Sequence, residues 1–348
     1  MRLWVRVEER PTERRTPIVP ADARRLVEAG VRVTVEESPR RVFPIEAYAD
    51  AGCAVAPAGS WVDADPDVVV VGLKELPPEP AALRHRHVLF GHAFKGQPGA
   101  AELLRRFAAG GGTLLDLEYL VDERGRRLAA FGRWAGYTGA ALGVLALRGR
   151  LPVPLEPGTR EELDARLRPE PGDDRPAVLV IGARGRSGQG ALAALEVAGL
   201  APTRWDVAST RTLDRPALLA HDVLVNVVFN TTPRPAFVRP ADVGDPSRRL
   251  RLICDVTCDV GSPANLLPIY DTVTDWQHPV RRLHDDPVLD LIAIDNLPSL
   301  LPAEASTAFS ADLLPLLLTL DGGEPWQRAR RTYEDALRAQ GAGQPARE

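Results

Sequence analysis

Residues 178–190 read VLVIGARGRSGQG: four apolar residues, then glycines at Gly182, Gly185 and Gly188. A buried strand running into a glycine-rich turn and a helix is a local solution for holding a pyrophosphate. The glycines let the backbone tighten and approach the anion, and the helix presents its positive N-terminal end to it. The spacing G-x-x-G-x-x-G is a variant of the more usual pattern, so its surroundings matter. Asp206 lies 24 residues beyond Gly182, at the end of the next strand-like run. An acid there can accept hydrogen bonds from ribose hydroxyls and repel a 2′-phosphate, which favours NAD over NADP. Arg204, two residues earlier, weakens that preference because an arginine can serve the 2′-phosphate.

Outward from this turn the chain alternates strand and helix signals. Apolar runs at 177–181, 203–207, 222–228, 250–256 and 291–294 form one series. A second series precedes it at 3–7, 31–35, 67–73, 88–93 and 113–117, with helical patterns at 20–29 and 100–109. Such alternation marks βα units and largely parallel sheets, so the expected class is α/β. Residues 136–147 read as a helix leading to the second series, and 150–176 as a surface excursion without periodicity. The segments 303–320 and 325–340 read as closing helices.

Composition narrows the class further. The 348 residues are 45% hydrophobic and 26% charged, with a formal net charge of −4. These values give no reason to expect nucleic-acid or anionic-membrane binding. The longest apolar stretch, 313–320, is interrupted by Pro315 and falls far short of the roughly 18 residues of a membrane span. The N-terminus lacks the apolar core of a signal peptide, and three cysteines cannot build a disulfide framework, so a cytoplasmic protein is expected. Cys254 and Cys258 are expected to be buried free thiols.

Of the 43 basic residues only two are lysine, Lys74 and Lys95, and both lie in the first series. Lys74 and Glu75 end the run 67–73, His92 ends the run 88–93, and Glu118 follows the run 113–117. In open parallel sheets ligands sit outside the carboxyl ends of strands, where all these groups fall. A lysine near carboxylates and a histidine that titrates near neutrality can serve two successive proton transfers. His85, His87 and His92 match no common zinc spacing, so no metal is expected. Arg10, Arg14 and Arg15, with Arg127, are candidates for holding carboxylates.

Taken with these features, RVEERPTERRTPIVP (6–20), GLKEL (72–76), HAFK (92–95), GTLLDLEYL (112–120), GRRLAAFG (125–132) and IDNLPSLLPAEAS (294–306) give the chain a resemblance over nearly its whole length. It is similar to the NAD-dependent, lysine-forming saccharopine dehydrogenases, relatives of alanine dehydrogenase. The resemblance implies two Rossmann-like domains with parallel sheets and an active-site cleft between them. The expected division is 1–133 with 306–348 for the substrate domain and 134–305 for the NAD-binding domain.

By the same resemblance, Lys74 is the base that accepts the amine proton. His92 is the acid–base group for imine hydrolysis, with Glu75 and Glu118 tuning the pair. Arg10, Arg15, Lys95, Gln97 and Phe131 fall at substrate positions. Arg127, Gly182, Gly185, Arg186, Gly188, Asp206, Thr210, Phe229, Val256, Ile294, Asp295, Asn296 and Leu297 fall at nucleotide positions.

Some positions depart from the fungal pattern. Arg10 replaces a lysine, Ser187 a cysteine and Phe229 a tyrosine, and HAFKGQPGA lacks the aspartate of the corresponding loop. The expected reaction is cleavage of saccharopine to L-lysine and 2-oxoglutarate, or its reverse, with small amino-acid and oxo-acid partners and a monomer or small homo-oligomer. The competing readings are an enzyme for another lysine-derived secondary amine, an alanine-dehydrogenase-type enzyme and a non-catalytic nucleotide sensor. The acid–base pair argues against the sensor.

Overall fold

The valines that end in Lys74 form the middle of a sheet. In the computed structural model, which describes residues 1–95, 97, 99–230 and 232–342, six parallel strands make up the first sheet. They are β1 (Arg2–Val5), β2 (Arg32–Glu36), β3 (Ala54–Ala56), β4 (Val69–Val71), β5 (Arg86–Leu89) and β6 (Thr113–Asp116). Their spatial order is β3-β2-β1-β4-β5-β6. All three residues of β4 are buried, as expected for a central strand covered on both faces. The order reverses between β1 and β4, and ligands of doubly wound sheets bind at such a switch point.

The chain divides into two compact units, Met1–Ala130 with the segment from Ala305 onward, and Phe131–Glu304. Residues 343–348, which the expected first domain includes, lie outside the described residues, as do Gly96 and Pro98 of the HAFKGQPGA stretch. The helix Pro302–Leu317 is tied to the first unit by hydroxyls. Ser306 Oγ accepts from Thr16 N at 3.0 Å, while Ser310 Oγ accepts from Val19 N at 3.1 Å and donates to Asp22 at 2.6 Å. The helix Glu324–Ala342 adds Tyr333, which stacks edge-on against Phe107 and donates to Gly112 O at 2.9 Å.

The second unit carries β7 (Val178–Ile181), β8 (Thr203–Trp205), β9 (Val223–Asn226), β10 (Leu252–Asp255), β11 (Arg281–Asp285) and β12 (Val288–Ile292). Their order is β11-β12-β10-β9-β7-β8, parallel throughout except for β11, which pairs antiparallel with β12 at the edge. Here the switch point lies between β7 and β9, and all four residues of β7 are buried. The helices Gly132–Leu147 and Arg186–Val197 cross with their backbones touching. A Cβ on Gly136 would lie 1.8 Å from Ser187 O, and one on Gly190 1.8 Å from Arg133 O. Only glycine fits at either crossing position.

Several elements differ from the sequence reading. Strands β3 and β11 were not expected, the first being three residues long and the second the polar run RRLHD. The excursion 150–176 contains the helix Arg160–Leu167, which has no apolar stripe but starts with a reciprocal cap between Thr159 and Glu162. The helix expected from 136 begins at Gly132. Among the described residues no helix is long and apolar enough to cross a membrane.

Candidate active site

Beyond Val5 the chain leaves β1 as Arg6-Val7-Glu8, and this short run builds the seat of Lys74. Arg6 is only 1% exposed. Its guanidinium donates to Val7 O at 2.7 Å, to Glu75 O at 3.1 Å and to Lys74 O. Glu8, 3.4 Å from Arg6, returns the contact from the other side: it accepts from Leu73 N at 2.7 Å and Lys74 N at 2.9 Å. Gly72 makes room, because a Cβ there would fall 2.5 Å from Arg6 Nε. A buried ion pair thus grips both backbone faces of residues 73–75.

The carboxylates around Lys74 each carry an arginine. Glu75 accepts from Arg10 Nε at 2.7 Å. Burial would raise the Glu75 carboxyl, but Arg10 and the charge of Lys74 hold it below its ordinary value. Glu13 is buried and accepts from Arg15 Nε at 2.8 Å and Nη2 at 2.7 Å. Its burial also acts upward, yet Arg15, with a smaller contribution from Lys74, holds it at about 2. Lys74 therefore stands in the field of two ionised carboxylates whose charges are largely matched by arginines.

The ends of β5 and β6 bring the second group together. His92 sits in the left-handed region with φ 49°, uncommon for a non-glycine residue and typical of functional sites. Its Nδ1 lies 3.7 Å from Glu118 Oε2, longer than a hydrogen bond. Lys95 Nζ reaches Glu118 Oε1 at 2.8 Å and lies over the Tyr119 ring, while Lys95 N donates to Gln97 Oε1 at 2.8 Å. His92 most of all, then Lys95 and the charge of Arg127, hold Glu118 at about 2 against its burial. Arg127, placed by resemblance at the nucleotide, belongs to this first unit.

Asp116, the last residue of β6, is fully buried and accepts from Glu118 N at 2.8 Å. Burial, with the Glu118 charge acting the same way, pushes its carboxyl up to about 6. Because the folded value exceeds the unfolded one of about 3.9, the folded state binds more protons between the two. Stability from this residue is present below about pH 4 and is lost as pH rises through about 6. Asp116→Asn should therefore gain on wild type by about 3 kcal/mol between pH 4 and 7. Urea unfolding at several pH values checks this, and parallel profiles for the two proteins would contradict it.

His85 and His87 play no part in this cluster. They pack with Trp61 and Phe107 as edge-on rings in the core, with His87 fully buried. Among the described residues no group of three metal-binding side chains forms.

In the second unit the glycine turn has the geometry that a dinucleotide needs. Gly182 has φ 92°, and a Cβ on Gly188 would lie 2.2 Å from Gly182 O. Gly182 N and Ala183 N both donate to Trp205 O, which ties the turn to β8. The helix Arg186–Val197 begins from Gly185 with no side-chain cap, a helix start of the kind that can receive an anion. Asp206 follows β8 and accepts from Ala208 N at 2.8 Å, while Thr210 Oγ1 donates to Asp206 O at 3.0 Å. Arg184 Nε approaches Asp206 Oδ2 at 2.6 Å.

Other positions that the resemblance assigns to the nucleotide also follow strand ends. Phe229, half exposed, comes after β9, and Val256 directly after β10. Ile294, Asp295, Asn296 and Leu297 follow β12, with Asn296 at φ 71° donating to Ser299 Oγ at 2.7 Å. Phe131 opens the second unit and its carbonyl accepts from Trp134 N and Ala135 N. The buried Asp255 braces this rim, accepting from Asn226 at 3.0 Å and Tyr270 OH at 2.7 Å. These residues fit a dinucleotide.

Sequence reasoning missed Arg6, Glu8, Glu13, Asp116, Arg184 and Asp255. A signal existed for some. Arg6 and Glu8 continue a strand whose alternate residues Leu3, Val5 and Val7 are buried. In a sheet covered on both faces, charged residues along such a strand must be buried and paired.

Comparison with known proteins agrees with this geometry. Residues 4–138 match the family model for the alanine dehydrogenase/PNT N-terminal domain. The L-lysine-forming, NAD(+) saccharopine dehydrogenase of Neurospora crassa is 42% identical, covering 96% of both chains. That of Schizosaccharomyces pombe is 38% identical, covering 95% of this chain and 97% of its own. Among solved structures, an L-alanine dehydrogenase superposes with a TM-score of 0.71 at 18% identity, covering 97% of this chain and 94% of its own. A transhydrogenase from Sinorhizobium meliloti gives 0.61 at 14%, covering 92% and 94%. These two speak for the fold alone. The extent and level of identity to the fungal enzymes place this chain in the family of NAD-dependent, L-lysine-forming saccharopine dehydrogenases.

Proposed function

We propose that this protein oxidises saccharopine with NAD to an imine, and that water cleaves the imine to L-lysine and 2-oxoglutarate, all steps being reversible. The observation that carries the reading is the fungal enzymes' identity across the full chain, together with Lys74 and His92 at neighbouring strand ends of one sheet. When bound, the nicotinamide accepts the hydride that leaves the carbon attached to nitrogen.

The side chains handle protons and orientation. Lys74 accepts the amine proton as the C–N bond gains double-bond character, and Glu75 with Glu13 sets the local field in which it does so. His92 takes a proton from the attacking water and returns it to the departing nitrogen, with Glu118 holding the ring's charge balance. Arg10, Arg15, Lys95, Gln97 and Phe131 orient the substrate, whose carboxylates match guanidinium and ammonium groups. Gly182, Gly185, Arg186 and Gly188 hold the pyrophosphate. Asp206 and Thr210 hold the adenosine ribose, and Arg127, Phe229, Val256, Ile294, Asp295, Asn296 and Leu297 line the rest of the nucleotide.

The test is NADH consumption with L-lysine plus 2-oxoglutarate, run beside a panel of other amines and oxo acids. The reading predicts that this pair has the highest kcat/KM. A higher value with pyruvate and ammonia would overturn it.

A further inference from the structure

We propose that Arg184 sets how far this protein discriminates between NAD and its 2′-phosphorylated form, and that it makes the discrimination shallow. This rests on the glycine turn being the dinucleotide site. An aspartate after the second strand of such a unit selects NAD in two ways: it accepts from the ribose hydroxyls, and its charge repels a 2′-phosphate. Asp206 has the right position, but its two oxygens are already engaged. One accepts from Ala208 N at 2.8 Å and the other meets Arg184 Nε at 2.6 Å. The acid that should repel a phosphate is therefore neutralised by a cation standing beside it.

Arg184 comes from inside the turn, between Gly182 and Gly185, so its backbone is fixed by the same geometry that receives the pyrophosphate. Its side chain is 86% exposed, against 19% for Asp206. An ion pair exposed on one side opens at little cost. For NAD, the guanidinium swings away and Asp206 turns to the ribose hydroxyls. For NADP, the guanidinium stays near Asp206 and offers its remaining N–H groups to the 2′-phosphate in the forked geometry that arginine favours. Among the described residues the arginine that pairs with Asp206 is Arg184, not Arg204.

Titration of the full-length protein with NADH and with NADPH, followed by nucleotide fluorescence, tests this without turnover. Wild type should bind both, NADH more tightly. Arg184→Ala should raise the ratio of Kd for NADPH to Kd for NADH by about tenfold, mainly by weakening NADPH. Arg184→Lys should keep the ratio closer to wild type, because the charge remains. A ratio that moves less than about twofold in Arg184→Ala, with NADH binding intact, overturns the role of Arg184 while leaving the dinucleotide site standing. Saturable binding of neither nucleotide to wild type overturns both.

Discussion

Replacing Lys74 by methionine should lower kcat by about two orders of magnitude or more, the range of a lost general base. Methionine keeps the length of the aliphatic stem but cannot carry a proton. The backbone seat should survive, because Arg6 and Glu8 hold residues 73–75 through main-chain groups that the substitution leaves in place. NADH affinity should change little, since the glycine turn and Asp206 belong to the other unit and its own sheet. Initial rates alongside fluorescence titration of NADH separate these effects. Near-normal turnover would remove Lys74 from the chemistry. A comparable loss of NADH affinity would mean that the residue acts on the nucleotide instead. Arginine should not rescue the site, because it stays protonated and cannot act as a base near neutral pH.

The second large effect concerns stability. Arg6→Met should cost about 3–5 kcal/mol, the usual range when one partner of a buried ion pair is removed. The loss has two parts. Glu8, 7% exposed, keeps its charge without its cation, and the carbonyls of Val7, Lys74 and Glu75 lose a donor. Urea denaturation followed by circular dichroism measures the change. The double variant Arg6→Met, Glu8→Gln should recover part of it, because the stranded charge is gone. A single variant within about 1 kcal/mol of wild type would show that the pair does not hold this segment together.

Much of the framework could be read from residues alone, for definite reasons. The glycine turn is legible because only glycine satisfies both the φ of Gly182 and the approach of Gly188 to Gly182 O. The strands β4 and β7 are legible because central parallel strands are apolar on both faces. Lys74 stands out because lysine is so rare in this chain, and its strand-end position does the rest. Most of what escaped depends on distant partners. The helix Arg160–Leu167 has no apolar face, but the Thr159 to Glu162 spacing of its cap was visible. Strand β11 is a polar edge strand whose pairing rests on β12. Arg6 looked like one arginine among many, since nothing local reveals that Gly72, 66 positions away, leaves a space for it. Arg184 was hidden for a similar reason: its relation to Asp206 exists only once β8 lies beside β7.

The central claim is the identity of the bond made and broken. Incubating the protein with isotopically labelled L-lysine, 2-oxoglutarate and NADH, and following products by mass spectrometry, tests it directly. The account predicts one labelled secondary-amine adduct with the mass of saccharopine, formed in equal amount to the NADH consumed and, with the Lys74→Met variant, formed about a hundredfold or more slowly. NADH consumption without that adduct, or with a primary amino acid as the reduced product, would contradict it.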